Sequence, residues 1–378
     1  MFDKNYLDRI EQRVFAEGLA LHEKGNKIVG VYCAFTPKEI IAASGAIPVA
    51  LCAGDQKPIE AGEKHLPRNL CPLIKASYGF ALTDTCPYLH YCDFLLADAT
   101  CDGKKKMFEL LGRIKWLHLM QLPQTSGTRE SYEYWLGELY KIKAIIEEKT
   151  GVEITDSALR KQIKLYNKMR KTINKVFSLN KGEYPLLYGY ELDNITGYNG
   201  FEVNLQKRVS EMEEVIEIVG KRAYDSSFID SVKNKTRILV TGCPTTNKKV
   251  LELIESSDAI VVAMENCGGL KTAGDLVDET KEPMEALAET YLSVACPCMT
   301  PNTKRLDIIG KIIDEYRIDG VVELVWQGCH TYNIEAFQIK EFVTGKCNRP
   351  YIQIETDYSE NDREQIRVRI EAFIEMLS

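Results

Sequence analysis

The chain has 378 residues, with 48 basic against 55 acidic side chains and a net charge of -7. That length allows two or three domains with real cores, and the absence of a basic block argues against a nucleic-acid groove or an anionic membrane surface. The charged N-terminus MFDKNYLDRIEQR has no apolar signal-like region, and no run reaches the roughly 18 apolar residues of a membrane span, so a cytoplasmic protein is expected. Twelve cysteines are many for such a protein, since a reducing cytosol disfavours disulfides and a free cysteine is by default a small buried hydrophobe.

In chain order, an amphipathic first helix with Ile10, Val14 and Leu19 leads to KIVGVYC, a short strand ending at Cys33. Thr36, Pro37 and Glu39 read as an N-cap, a first-turn proline and a capping-box acid. AIPVALC is a second strand, ending at Cys52. Cys71 stands at a helix start marked by Pro72, FLLADATC is a strand ending at Cys101, and CDGKKKMFELL opens the helix after it. WLHLMQLP is a fourth strand. From about residue 128 to 235 the pattern turns helical: Leu159, Ile163, Tyr166 and Ile173 recur at helical spacing among many charges, with no cysteine. Its charged runs read as solvated faces, and its apolar stripes as surfaces for dimerisation.

At Thr236 the α/β pattern returns. TRILVTGC ends at Cys243 and AIVVAMENC at Cys267. VACPCMTPN carries Cys296 and Cys298 before a helix whose cap and first turn read as Thr300 and Pro301. VVELVWQGC ends at Cys329, followed by a helix with Ile334, Phe337 and Phe342 on one side. PYIQIETD is a last strand, and the C-terminal helix buries Ile366, Ile370, Phe373 and Ile374. The cysteine order 33, 52, 71, 101 matches 243, 267, 298, 329, with last separations of 30 and 31 residues. The expected architecture is therefore two similar doubly wound parallel-sheet domains, residues 1–127 and 236–378, joined by a helical insert at 128–235. Their strand ends would face each other, which is where such sheets bind ligands.

Thiols converging from distant loops point to iron–sulfur chemistry rather than to a zinc finger, which needs close pairs; the one tight pair here is Cys296 with Cys298. Helix starts after Cys71, Cys101 and Cys329 offer N–H groups and positive dipole ends to an anionic cluster. Lys104, Lys105 and Lys106 would add positive charge, dock a redox partner, or form a solvated face. Cys52 and Cys86 read as packing residues, as do Cys92 and Cys347. His330, Glu265 and Glu335 flank these cysteines and are candidate proton donors, each with an ordinary structural alternative. With no Walker A string and no G-x-G-x-x-G after a strand, the chain is not expected to bind ATP; Gly268 and Gly269 read as a tight turn.

The strings YCAFTPKEIIAASGAIPVALC, LPRNLCPLIKASYGF, ATCDGKKKMFE, RILVTGCP, MENCGGLK, CPCMTPN, QGCHTYNIEAFQIK and IETDYSEND resemble the double-cubane cluster proteins of the 2-hydroxyacyl-CoA dehydratase superfamily, over nearly the whole chain. The resemblance implies a homodimer whose subunits each hold two 4Fe-4S cubanes bridged by a sulfide. Electrons would come from a separate ATP-hydrolysing activator with its own 4Fe-4S cluster. It implies Cys71, Cys101 and Cys329 as one ligand trio; for the second cubane the expected ligands are Cys33, Cys267 and Cys298, with Cys243 and Cys296 as substitutes that spacing alone does not separate. The function implied is reduction of a small molecule at the cluster. Two alternatives stay open: a 2-hydroxyacyl-CoA dehydratase subunit with one cubane, and a non-catalytic electron carrier.

Overall fold

A computed structural model describes residues 2, 4–52, 54–196 and 203–377. Every expected strand forms. β1 (Ile28–Tyr32), β2 (Ile47–Ala50), β3 (Phe94–Asp98) and β4 (Leu117–Met120) make one parallel sheet, and β5 (Thr236–Gly242), β6 (Ala259–Glu265), β7 (Gly320–Trp326) and β8 (Tyr351–Thr356) make another. The strand orders are β2-β1-β3-β4 and β6-β5-β7-β8, the same winding twice. The protein is α/β, with two doubly wound sheets of the Rossmann or flavodoxin type. β5, β6 and β7 are buried at every residue, as β-branched runs covered by helices on both faces must be.

In the first sheet the two faces pack separately. Ile28 and Tyr32 of β1 face a core that includes Ile74, Met107 and Phe108, while Val29 and Val31 face Trp135, Leu139 and Ile142 of the helix Arg129–Thr150 and Leu159 and Ile163 of the helix Asp156–Ser178. Leu159, Ile163 and Tyr166 of that stripe are thus buried inside the chain. Met284, Leu287 and Tyr291, on the helix Pro283–Leu292, join that same core although they follow β6 in sequence. A buried ion pair fixes this crossing: Arg170 Nη2 lies 2.7 Å from Glu39 Oε1, and the Tyr291 hydroxyl donates to Glu39 Oε2 at 2.6 Å. Burial opposes the charge on Arg170, but Glu39 and Tyr291 outweigh it and hold its pKa above the ordinary value.

Three local expectations change. Thr36 is no cap: its hydroxyl donates to Asp98 Oδ1 at 2.7 Å, and Glu39 goes to Arg170 instead of back to the helix start. The helix after Cys298 begins at Thr303, with Asn302 rather than Thr300 before it, and the Thr300 N–H donates to Gln124 O at 2.7 Å. On the helix His330–Glu341 the buried stripe is Tyr332, Ala336 and Ile339, one turn apart along the face set on β7 and β8, which leaves Ile334 and Phe337 at 75% and 66% exposure. Among the described residues, no helix is long and apolar enough to cross a membrane.

Candidate cluster-binding site

In a parallel sheet wound as β2-β1-β3-β4, the crevice opens beyond the C-terminal ends of β1 and β3. Cys33 directly follows β1 and Cys101 lies just beyond β3; Cys243 and Cys329 occupy the corresponding places after β5 and β7. Every cysteine is a free thiol. The two crevices meet. A Cβ placed on Gly328, whose φ is +73°, would come 2.5 Å from Asn69 O and 3.1 Å from Cys71 N, and one placed on Gly54 would come 2.2 Å from Thr246 O. Glycine at these two positions lets loops of one sheet lie directly against loops of the other.

The first group of thiols sits at that contact. Cys71 and Cys243 are each within hydrogen-bonding reach of Cys329. Both thiols are pushed well above the ordinary cysteine value, Cys71 first by its contact with Cys329 and Cys243 first by burial. Cys329, beside Cys243 and Cys71, is held well below that value, further helped by the Tyr332 N–H and the Thr331 hydroxyl. It stands directly before its helix, as do Cys71 before Pro72–Thr83 and Cys101 before Asp102–Leu111, where first-turn N–H groups favour sulfur anions.

The second group lies alongside. Cys33 takes a left-handed φ of +81°, uncommon for a residue with a side chain. Burial pushes its thiol up to about 12, with Cys296 and Cys267 close enough to add to the rise. Cys298 lies against Cys296, which drops to about 7 with help from Lys271, the Cys298 N–H and Lys104. Cys267 is raised to about 11 by burial against the pull of Lys271. Cys101 connects the groups: burial raises it, Lys104 lowers it, and it feels both Cys329 and Cys296. Cys52 acts on Lys104 and Cys267, so the site reaches a residue that sequence pattern alone assigns to packing.

Lys104 turns inward and its Nζ donates to Cys33 Sγ at 3.0 Å. Lys105 and Lys106 turn outward to Asp102 and Glu109. Arg305, fully buried, binds Glu265 Oε2 at 3.1 Å and Glu323 Oε1 at 3.2 Å, pairs with Glu335, and lies over the Tyr332 ring. Lys271 binds Glu265 Oε1 at 3.1 Å and donates to the Tyr332 hydroxyl at 2.8 Å. Glu265 is therefore a fixed anion: burial favours its neutral form, but Lys271 and Arg305 overcome that and hold it below the usual carboxylate range. Glu335 also accepts from Asn302 Nδ2 at 2.6 Å. His330 is exposed beside Cys329. Sequence spacing gives no sign of the Arg305 and Lys271 network, whose cations stand among ordinary helix lysines and arginines.

Three cysteines stay apart. Cys92 is buried, its thiol donating to Tyr88 O at 3.2 Å; Cys86 precedes the short helix Pro87–Tyr91, close to Asp84; Cys347 has Asp314, Arg349 and Lys346 as its charged neighbours.

Among the described residues, no three His, Cys, Asp or Glu side chains close around a single metal-ion position. The sulfurs instead form two adjoining groups, the spread a polynuclear cluster requires because each ligated iron takes its own thiolate. The fully buried Asn266, beside Cys267, leaves its Nδ2 without a hydrogen-bond partner, a donor suited to a sulfide or another anion in the basin. The donor set fits an iron–sulfur group.

The family of the 2-hydroxyglutaryl-CoA dehydratase D-component matches residues 33–377. The chain belongs to that family. YjiM of Escherichia coli (strain K12) is 40% identical over 97% of this chain and 95% of its own length. The (R)-phenyllactyl-CoA dehydratase beta subunit of Clostridium sporogenes is 24% identical over 94% of this chain and 93% of its own, and a benzoyl-CoA reductase subunit of Thauera aromatica is 21% identical over 93% and 90%. The 2-hydroxyglutaryl-CoA dehydratase family thus includes subunits of both dehydratases and a reductase, and this chain matches them along nearly its full length.

Proposed function

We propose that the chain is an iron–sulfur reductase that reduces a small molecule at a double-cubane cluster, as a cytoplasmic homodimer supplied with low-potential electrons by a separate ATP-hydrolysing activator. The observation that carries this reading is the meeting of two thiol groups, from the loops of both sheets, in one cleft. A single cubane takes up to four thiolates, and the cleft gathers more sulfur than that. In this reading Cys71, Cys329 and either Cys101 or Cys243 hold one cubane. Cys33, Cys267 and Cys298, with Cys296 as substitute, hold the other.

When bound, such a cluster supplies stored electrons at low potential to a substrate in the cleft. The chain's own residues do the rest. Helix starts after Cys71, Cys101 and Cys329 aim N–H groups at the sulfurs, Asn266 offers a further donor, and the Arg305 network fixes the floor on which Tyr332 and Lys271 stand. Glu265 and Glu335 brace that network, and His330, exposed beside Cys329, is the candidate that brings protons to the cleft.

The second reading is a dehydratase subunit with one cubane, favoured by the relatives that are dehydratase subunits and by the compactness of the Cys71, Cys243 and Cys329 trio. Iron and sulfide counts on anaerobically purified protein separate the two, at about eight irons per chain against about four, the content of two cubanes or one. Turnover with activator and ATP then tests the enzyme. Iron bound without any turnover would leave an electron carrier.

A further inference from the structure

Two lysines enter the thiol basin, and their surroundings differ. Lys271 faces Glu265 at 3.1 Å, so its charge is largely matched where it stands. Lys104 has no such match: among the described residues no carboxylate pairs with its ammonium, and its hydrogen bond goes to Cys33 Sγ at 3.0 Å. The buried Asp98 feels Lys104 but is already bound to the Phe35 N–H and the Thr36 hydroxyl at 2.8 and 2.7 Å. Lys104 acts on the sulfurs of Cys33, Cys267 and Cys296, and Lys271 acts on the last two of these. Both lysines thus stand against the Cys33, Cys267 and Cys296 group.

We propose that Lys104 is the residue that sets the reduction potential of the iron–sulfur group and draws the added electron toward the Cys33 end. The inference rests on the functional reading above. Each electron accepted adds one negative charge with no bond made or broken, and a cation in contact with a ligand sulfur stabilises that charge far more than it would in water. Lys104 is a positioning residue for charge, and a substrate reduced in this cleft would meet the electron beside Cys33 rather than beside Cys329.

The test uses the full chain, loaded anaerobically with iron and sulfide and titrated with a chemical reductant and mediators while the cluster's paramagnetic resonance signal is followed. Lys104→Met should shift the midpoint to more negative potential by at least tenfold in the one-electron equilibrium, 59 mV per tenfold. Lys104→Arg should stay within threefold of wild type, and Lys106→Met, at the Glu109 pair, should not shift. A Lys104→Met protein with wild-type iron and an unshifted midpoint overturns the proposal. Should Lys104→Met lose iron, Lys104→Arg decides: recovery of both iron and midpoint supports the charge role, and iron still missing overturns it. A wild-type chain that takes up no iron overturns the functional reading and this proposal together, whereas a loaded wild type beside an unshifted variant overturns this proposal alone.

Discussion

Gly328 lies against Cys71 so closely that a Cβ on the glycine would stand 3.1 Å from the Cys71 nitrogen and 2.5 Å from the Asn69 oxygen. The loop that carries Cys329 can approach the Cys71 helix only because residue 328 has no side chain and takes a φ of +73°. Gly328→Ala should destabilise the chain by roughly 1–3 kcal/mol, the cost of a strained left-handed residue, and should push Cys329 away from Cys71. Urea unfolding measures the first effect and iron uptake the second. Gly345, with nothing within 4 Å of its would-be Cβ, is the control: Gly345→Ala should leave both unchanged.

Arg305 is buried among Glu265, Glu323 and Glu335. Arg305→Met removes the cation and leaves carboxylates facing one another in a dry setting, so it should cost roughly 3–5 kcal/mol. Arg305→Lys keeps the charge but cannot fork to several carboxylates at once, and should fall in between. Denaturant midpoints order the three proteins; equal midpoints for Arg305→Met and wild type would show that the network contributes nothing.

The parts of the fold legible in the sequence are those that depend on periodicity. VVELV, AIVVAM and TRILV are strands because β-branched apolar runs suit a sheet buried on both faces, and the cysteines after them had to point at the crevice. The direction in which a given long side chain turns was not legible. Lys104, Lys105 and Lys106 are adjacent and chemically identical, yet helical geometry sends one to Cys33 and two to solvent. Thr36 and Glu39 satisfy a capping pattern locally, and lose it to Asp98 and Arg170, which stand 62 and 131 residues away. Ile334 and Phe337 form a fair apolar stripe, but the stripe through Tyr332 is the one that Lys271 and Arg305 hold against the sheet.

Glu255 accepts N–H bonds from Gly189, Tyr190 and Val261. Burial outweighs those bonds and raises its pKa to about 7. An unfolded glutamate releases its proton near 4.3. Between about pH 4.5 and 7 the folded chain therefore holds a proton that the unfolded chain has lost, so this group's contribution is full at low pH and fades as pH rises through 7. The difference in unfolding free energy between wild type and Glu255→Gln should change by up to about 3 kcal/mol across that window, at 1.36 kcal/mol per pKa unit, and be flat above it. A difference that stays constant from pH 4.5 to 7 would refute the assignment.

Cys329 lies against two thiols, whereas the charged neighbours of Cys347 are Asp314, Arg349 and Lys346. Cys329→Ser exchanges the sulfur that joins Cys71 to Cys243 for a hard, protonated oxygen that iron–sulfur groups bind poorly. After anaerobic reconstitution this variant should lose about half of its iron or more, as expected when one of two cubanes lacks a ligand. Cys347→Ser should load like wild type, and so should Cys86→Ser. Cys101→Ser and Cys243→Ser then show which of the two completes the trio. Cys101 touches both groups electrostatically while Cys243 is buried against Cys329, so Cys243→Ser should cost the same iron as Cys329→Ser, and the double variant should cost no more than either. Loss that adds in the double variant would place Cys243 and Cys329 on separate cubanes, and the cleft would then be divided along a different line.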